Sequence, residues 1–496
     1  MLNLHTRLFT YLVKYQFDAF QKRAPVLADL ASIVPPRGVD VRHDPTLDLD
    51  VGDDDFEEAG LTPTGRFFVE LLNRALWASD SHRGYASLAE AEADIRNIFG
   101  PRLPLEVKWS DPTSDDALVR LVTQGIGAHA LERGPDPRSW QVDFAFMLAY
   151  RVRPGFLPYG AKLILDQDAS GALSPRSITW ARGTHTPSDA QWEEAKLAFR
   201  AALALGVTVR DHAVGCHFLP ANSMVIAVRK NLPEQHPLRT FMRAFQFRTP
   251  AINAGALVTL VPPHAIFSRL FALEWESLTK LYQHSKDAFR WRPLPTTLAT
   301  AGLDSLGEHH PYAHDALELW RHEHRLVSDY LEAIGVDDHP RRDPDIARMH
   351  DALVRILPKS ADVHPIEKRR DLVDLITQSL FVGTGWHEQV GGALGDYLSR
   401  PDFVPPALRD GRVLEEMLPS RQTMVQGAML AVLTNFTMPR ITENFASLVP
   451  EKGQPAVYRW ITGLGELRRT IDARNAEREQ PMPTFHPDHV EISVSI

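Results

Sequence analysis

Among 496 residues there is one cysteine, Cys216, no basic excess and no apolar run of membrane-spanning length. A single cysteine excludes an intrachain disulfide framework and points to a reducing compartment. Without about 18 consecutive apolar residues, nothing reads as a transmembrane helix. Lys plus Arg number 54 against 63 Asp plus Glu, a formal charge of −9. That is the wrong sign for a nucleic-acid binder, which shows a clustered basic excess. The first twenty residues lack the basic start, unbroken apolar middle and small-residue cleavage site of a secretory signal. There is no internal repeat and no low-complexity segment. What remains is ordinary for a globular chain: 44% hydrophobic, 24% charged and 9% aromatic residues, with length enough for a sizeable core. A cytoplasmic, soluble protein is expected.

Leu2, Leu8, Phe9, Leu12, Val13, Phe17 and Phe20 recur at helical spacing, predicting an amphipathic first helix. Packing on the protein's own core is its plainer use, so membrane contact is peripheral at most. Residues 39–60 are loop-like, and Asp53, Asp54, Asp55, Glu57 and Glu58 form an acidic cluster of the kind that usually marks a solvated loop. Helical patterns cover 64–79, 88–99 and 115–131, and strand patterns cover 144–152 and 161–166. Beyond Ser188 almost everything reads as helix: 189–217, 238–260, 265–284, 315–334, 343–357, 369–398, 412–433 and 458–478. The 37 prolines punctuate the junctions. The fold class is therefore mainly α with a small strand-containing portion. An N-terminal helical region with its acidic loop (1–104) precedes one large domain (105–496).

With 21 histidines, spacing has to select among them. His309–His310 and His322-Glu323-His324 are too close in sequence to face one way on a helix, and read as structural. His212 and His217 are five apart, which on an α-helix at 100° per residue leaves the rings about 140° apart. They converge only if the helix widens into a π-type turn, a feature that concentrates at functional sites. By spacing alone, two unrelated core histidines remain the plainer reading. A zinc-peptidase helix is excluded, because its histidine pair needs spacing four. Cys216 reads as a small buried hydrophobe.

Residues 212–254, HAVGCHFLPANSMVIAVRKNLPEQHPLRTFMRAFQFRTPAINA, resemble the iron-binding core of the lipoxygenases. That family shows two histidines five apart, then an arginine, a Leu-Pro-x-x-His-Pro element and a Thr-x-x-Ile-Asn. Here the later elements are Arg229, Leu232 to Pro237, and Thr249 to Asn253. Trp192 with Ala195-Lys196 is similar to the family's helix entry, and Leu157-Pro158 with 161–165 to its preceding strand. Downstream, Pro311-Tyr312, Asp315, Leu317, Trp320 and Tyr330 resemble its Pro-Tyr-x-x-Asp-x-Leu-x-x-Trp helix. His387, after Ile376 to Phe381, stands at the place of the third histidine, and the final Ile496 at that of the isoleucine whose α-carboxylate binds the metal.

The resemblance, over about residues 105–496, implies a lipoxygenase-type helical catalytic domain built around a long iron-binding helix, without the family's N-terminal β-barrel domain. It implies His212, His217, His387 and Ile496 as ligands to non-haem iron, with manganese as an alternative on the same set. Three imidazoles and a carboxylate leave open positions, as oxygen-using Fe(II) sites require. The implied reaction inserts O2 into a polyunsaturated fatty acid or other diene-like molecule, with no catalytic group beyond an iron-bound hydroxide. A terminal carboxylate ligand requires a tail buried against the core, for which Val490, Ile492 and Val494 supply apolar side chains. Five positions depart from the family. Gly391 replaces an Asn, His or Ser that serves as a weak further ligand, so water or nothing is expected there. Thr208 and Leu394 replace two glutamines that link ligands to the pocket. Ala213 replaces a bulky apolar residue, and Pro263 stands where a small residue influences the oxygenated carbon. These departures keep two other readings open: an iron enzyme of the same fold that oxidises a specialised metabolite or rearranges a hydroperoxide, and a catalytically silent lipid-binding protein.

Overall fold

A computed structural model describes residues 111, 113–247, 249–392, 403–419 and 439–494, with residues 93, 397 and 423 alone besides. The expected N-terminal helices, the acidic loop, most of the 412–433 helix, Leu394 and Ile496 lie outside the described residues.

The first described helix, α1 (Asp115–Leu121), starts where Ser114 Oγ accepts from the Ala117 amide, a side-chain cap for an otherwise orphaned donor. It stops ten residues short of the expected end, and Gly125 and Gly127 follow in a turn that closes with a short 3-10 helix at Ala128–Ala130.

An antiparallel sheet follows, with strands β1 (Glu132–Arg133), β2 (Ser139–Asp143), β3 (Ala161–Gln167), β4 (Leu173–Trp180) and β5 (Gly183–His185) paired in sequence order. β3 alternates as expected, with Ala161, Leu163 and Leu165 buried. The strand expected at 144–152 ends where that pattern begins. Asp143 Oδ1 accepts the Ala145 amide at 2.8 Å and turns the chain into a 3-10 helix at Ala145–Ala149. Phe144 and Met147 are buried at the i, i+3 spacing of that turn. In β4, Arg176 is an extra residue between partners Pro175 and Ser177. The bulge spares the proline a missing ladder bond and aims Arg176 at Asp136 and Asp166.

The centre of the molecule is one continuous helical run. It comprises α2 (Trp192–Leu205), a π-helical stretch Gly206–Ala221, and α3 (Asn222–Asn231). Apart from Glu193 and Glu194 near its N-terminal end, α2 is wholly buried, as a helix packed on all sides must be. Its entry is anchored chemically. Trp192 Nε1 donates to Asp115 Oδ1 at 2.8 Å, and the buried Lys196 ammonium meets Asp115 at 3.1 Å and the Thr113 carbonyl at 2.6 Å.

Around this run pack α4 (Pro237–Phe245), α5 (Thr249–Thr259), α6 (Ile266–Leu270), α7 (Trp275–Ala288) and α8 (Leu294–Ala301). The long helices α9 (Pro311–Ala333), α10 (Pro344–Ile356) and α11 (Arg369–Phe381) follow, then α12 (Leu414–Met417) and α13 (Gln454–Glu477). α11 passes into π-helical turns at Val382–Trp386 and Glu388–Gly392, with His387 between them. α9 and α13 are joined by Asp315, fully buried, which takes Arg474 at 3.0 Å and Arg478 at 2.6 Å.

The last described segment threads back into the core. Val490, Ile492, Ser493 and Val494 are buried. The Ile492 amide donates to the Pro439 carbonyl, and Ser493 Oγ to the Phe247 carbonyl at 2.8 Å. Ser493 passes beside Gly383, in the turn that leads to His387. No described helix is long and apolar enough to cross a membrane.

Candidate metal centre

Both helices that carry the three histidines leave α geometry where the histidines stand. In the π stretch, i→i+5 hydrogen bonding brings residues five apart onto one face, and His212 and His217 meet with Nε2 atoms 2.9 Å apart. His387 approaches from the second helix, its Nε2 3.3 Å from that of His212. All three rings are buried, and their donor atoms lie within 4.8 Å of one another, the one such cluster among the described residues. Two nitrogens each about 2.1 Å from one ion sit about 3.0 Å apart at right angles and about 3.4 Å apart in a tetrahedron. The observed separations match cis ligands of a single metal.

Electrostatics fit the same reading. Burial holds the His217 pKa down to about 4, against the opposing hydrogen bond to Asn253. Burial, with the neighbouring His217 and His387, pushes His212 well below its ordinary value. Neutral imidazoles are the form that binds a metal. The tautomer of His217 is set by its neighbour: Asn253 Nδ2 donates to the His217 carbonyl at 3.2 Å, which turns Oδ1 toward Nδ1 at 2.9 Å. Nδ1 therefore carries the proton, and the Nε2 lone pair faces the cluster. Lone pairs converging in a dry site repel one another unless a cation lies between them, so this donor set suits a divalent metal.

Gly391 is the tightest point. A β-carbon there would stand 2.5 Å from His212 Nε2. The ring of His212 therefore lies against the place where the sequence reading put water or nothing. Thr208 stands four residues before His212, buried, with an Oγ1 that has no hydrogen-bond partner among the described residues. Ala213 is buried beside His212, and Pro263 lies half-buried in the turn between α5 and α6.

Spacing gave no role to two further groups. Asn253 was visible only as part of a motif. Glu323, on α9, is fully buried with a carboxyl oxygen 2.5 Å from Thr384 Oγ1, in the π turn before His387. Burial pushes its carboxyl up to about 8. Two of the histidines set aside on spacing have partners of their own away from the cluster. His310 caps α9, accepting from the Ala313 amide and bonding the Ala128 carbonyl, and His324 pairs with Asp374. Cys216 is buried, with Sγ 3.3 Å from the Val382 carbonyl.

No family profile matches the chain. Individual relatives do. The linolenate 9R-lipoxygenase of a Nostoc species is 23% identical over 238 residues, 47% of this chain and 31% of that protein. The rat epidermal-type polyunsaturated fatty acid (12S)/(13S)-lipoxygenase is 24% identical over 364 residues, 67% of this chain and 55% of that protein. The chain thus spans between a third and a little over half the length of these relatives. Among solved structures, a lipoxygenase variant in complex with arachidonate superposes with TM-score 0.75 at 16% identity, over 90% of this chain and 75% of that one. The manganese lipoxygenase of Gaeumannomyces graminis gives 0.71 at 18%, over 90% and 92%. The helical body, the small sheet and the bent central helix are thus those of a lipoxygenase catalytic domain, and in fold and in sequence this chain is a relative of the lipoxygenases.

Proposed function

We propose that the chain is a non-haem iron dioxygenase that inserts O2 into a polyunsaturated fatty acid to give a hydroperoxide. The observation that carries this reading is the convergence of three buried imidazoles, one with its tautomer fixed by Asn253. His212, His217 and His387 would hold the metal, with the α-carboxylate of Ile496 as the fourth donor; manganese would use the same set. The buried run to Val494, passing Gly383 beside the His387 helix, supports that last assignment. The chemistry such a metal supplies is the one-electron oxidation by which a doubly allylic C–H is broken before O2 adds.

The chain's own residues keep the donors neutral, orient them and exclude water. Val382 and Val390, five residues before and three after His387 in chain order, are buried apolar residues of that helix. Relatives and structural neighbours described as acting on linolenate or binding arachidonate support a fatty-acid substrate. Gly391 against His212, and a polar-poor Thr208, favour as a second reading the oxidation of a different diene-like molecule by the same centre.

The test is metal content by mass spectrometry, followed by oxygen uptake with linoleate and arachidonate. One iron per chain with conjugated-diene absorbance growing as oxygen is lost is the expected result. Iron without diene oxidation would favour the second reading. No metal after anaerobic iron loading would overturn both and leave a silent lipid-binding protein. Deleting Ile496, or extending the chain beyond it, is expected to strip the metal; retained metal in both would refute that ligand.

A further inference from the structure

Against the two metal-bearing helices lies a cavity of about 330 Å3 whose lining includes none of the three histidines. Its floor includes Asp211 and Trp386, the chain neighbours of His212 and His387. Its wall is largely apolar and aromatic, including Trp291, Phe381 and Leu298. That volume sits at the lower end of the range of about 300–1,000 Å3 typical of ligand pockets, and so does the character of the lining: apolar walls with a few polar groups.

Trp291 and His129 are held firmly in that wall: Trp291 is 4% exposed, and the His129 side chain is 5% exposed with its Nε2 2.9 Å from Asp211. A concave apolar wall with a charged rim is the usual form of a place where a ligand binds.

Charge indicates what. The only carboxylate in the lining is Asp211, already held by Arg210 at 2.7 Å and by His129. Arg290 and Arg292 stand exposed at the rim, and Arg292 makes no ion pair among the described residues. Arg210, Arg290 and Arg292 against Asp211 leave the cavity net positive on a chain of formal charge −9. Local positive potential in a concave, low-dielectric wall concentrates anions.

We infer that this cavity is a second ligand site, distinct from the histidine cluster, that takes a small amphipathic carboxylate. The acid's apolar body lies along the Trp291–Leu298 wall, and its head group meets the Arg290/Arg292 rim. Its floor is formed by chain neighbours of two histidines, so occupancy and the metal centre share a wall. This inference does not depend on the reaction proposed above.

The experiment uses the full chain and sodium decanoate, a saturated acid that no dioxygenase consumes, with binding read by calorimetry and tryptophan fluorescence. Wild type is expected to bind decanoate. The rim double variant Arg290→Glu/Arg292→Glu, both surface positions, should weaken binding by about tenfold or more. Thr297→Trp, at an exposed lining position, should abolish it by filling the cavity. Decyltrimethylammonium should bind at least tenfold more weakly than decanoate. No decanoate binding up to millimolar concentration would overturn the inference, as would equal binding by the rim variant and wild type, or equal affinity for the cation.

Discussion

Asn253 and His217 hold each other twice, side chain to ring at 2.9 Å and side chain to backbone at 3.2 Å. The double contact decides which way the amide faces and hence which imidazole nitrogen is free. Asn253→Ala should cost about 10- to 100-fold in metal affinity, the usual scale for losing such a partner. Asn253→Asp, which keeps the acceptor oxygen, should retain most of it. Competition against a graded series of chelators measures both.

Gly391→Asn tests whether the family's usual side chain is tolerated. The added β-carbon would stand 2.5 Å from His212 Nε2, so the ring has to move and metal occupancy should fall. Gly391→Ala should show the same fall, with about 1–3 kcal/mol lost in stability from overpacking. Occupancy equal to wild type in the Asn variant would mean that His212 swings aside and the asparagine joins the site.

His387→Ala and His212→Ala should abolish metal binding, while His310→Ala and His324→Ala should leave metal content intact. The latter pair act as a helix cap and a partly exposed ion pair. His310→Ala should instead lower the melting temperature, since it removes two buried hydrogen bonds.

Glu323 sets a pH dependence. Its carboxyl is pushed up to about 8 by burial, so at neutral pH it is protonated and donates to Thr384, which can then donate to the Leu380 carbonyl at 2.9 Å. An unfolded carboxyl titrates near 4.3, so between about pH 4 and 8 the folded chain binds more protons than the unfolded one, and stability falls as pH rises. Glu323→Gln should flatten that fall, seen as melting temperatures that vary less between pH 5 and 8. An unchanged slope would place the dependence elsewhere.

Asp315 neutralises two arginines from a helix some 160 residues away. Asp315→Ala should destabilise the chain by about 3–5 kcal/mol, the range for breaking a buried ion pair, and a chemical-denaturation curve reports it directly.

How much of this is legible in the sequence differs by element. Most of the helices expected between Ser188 and Gly392 carry strong 3.6-residue patterns and stand where expected, though several break at turns: 238–260 divides between Phe245 and Thr249, and 265–284 between Leu270 and Trp275. The 139–143 strand was displaced because Phe144 and Met147 continue an apolar pattern that Asp143 has already ended through its side chain. The histidine pair at spacing five was ambiguous in principle. A π stretch leaves no compositional mark, and only tertiary packing of α7 and the π-helical turns at 382–392 around 206–221 selects it. Asn253 and Glu323 were unreadable because their roles arise from partners 36 and 61 residues away.

The tail that closes beside Gly383 has a kinetic consequence. The last of the three histidines, His387, precedes Ser493 by about a hundred residues, and His212 and His217 precede it by nearly three hundred. At translation rates of about 5–20 residues per second, all three imidazoles have been synthesised by about 5–20 s before the segment that seals them can arrive. Until then the side facing Phe247 and Gly383 is unwalled, and that interval is when an ion reaches the histidines without any part of the finished structure having to open.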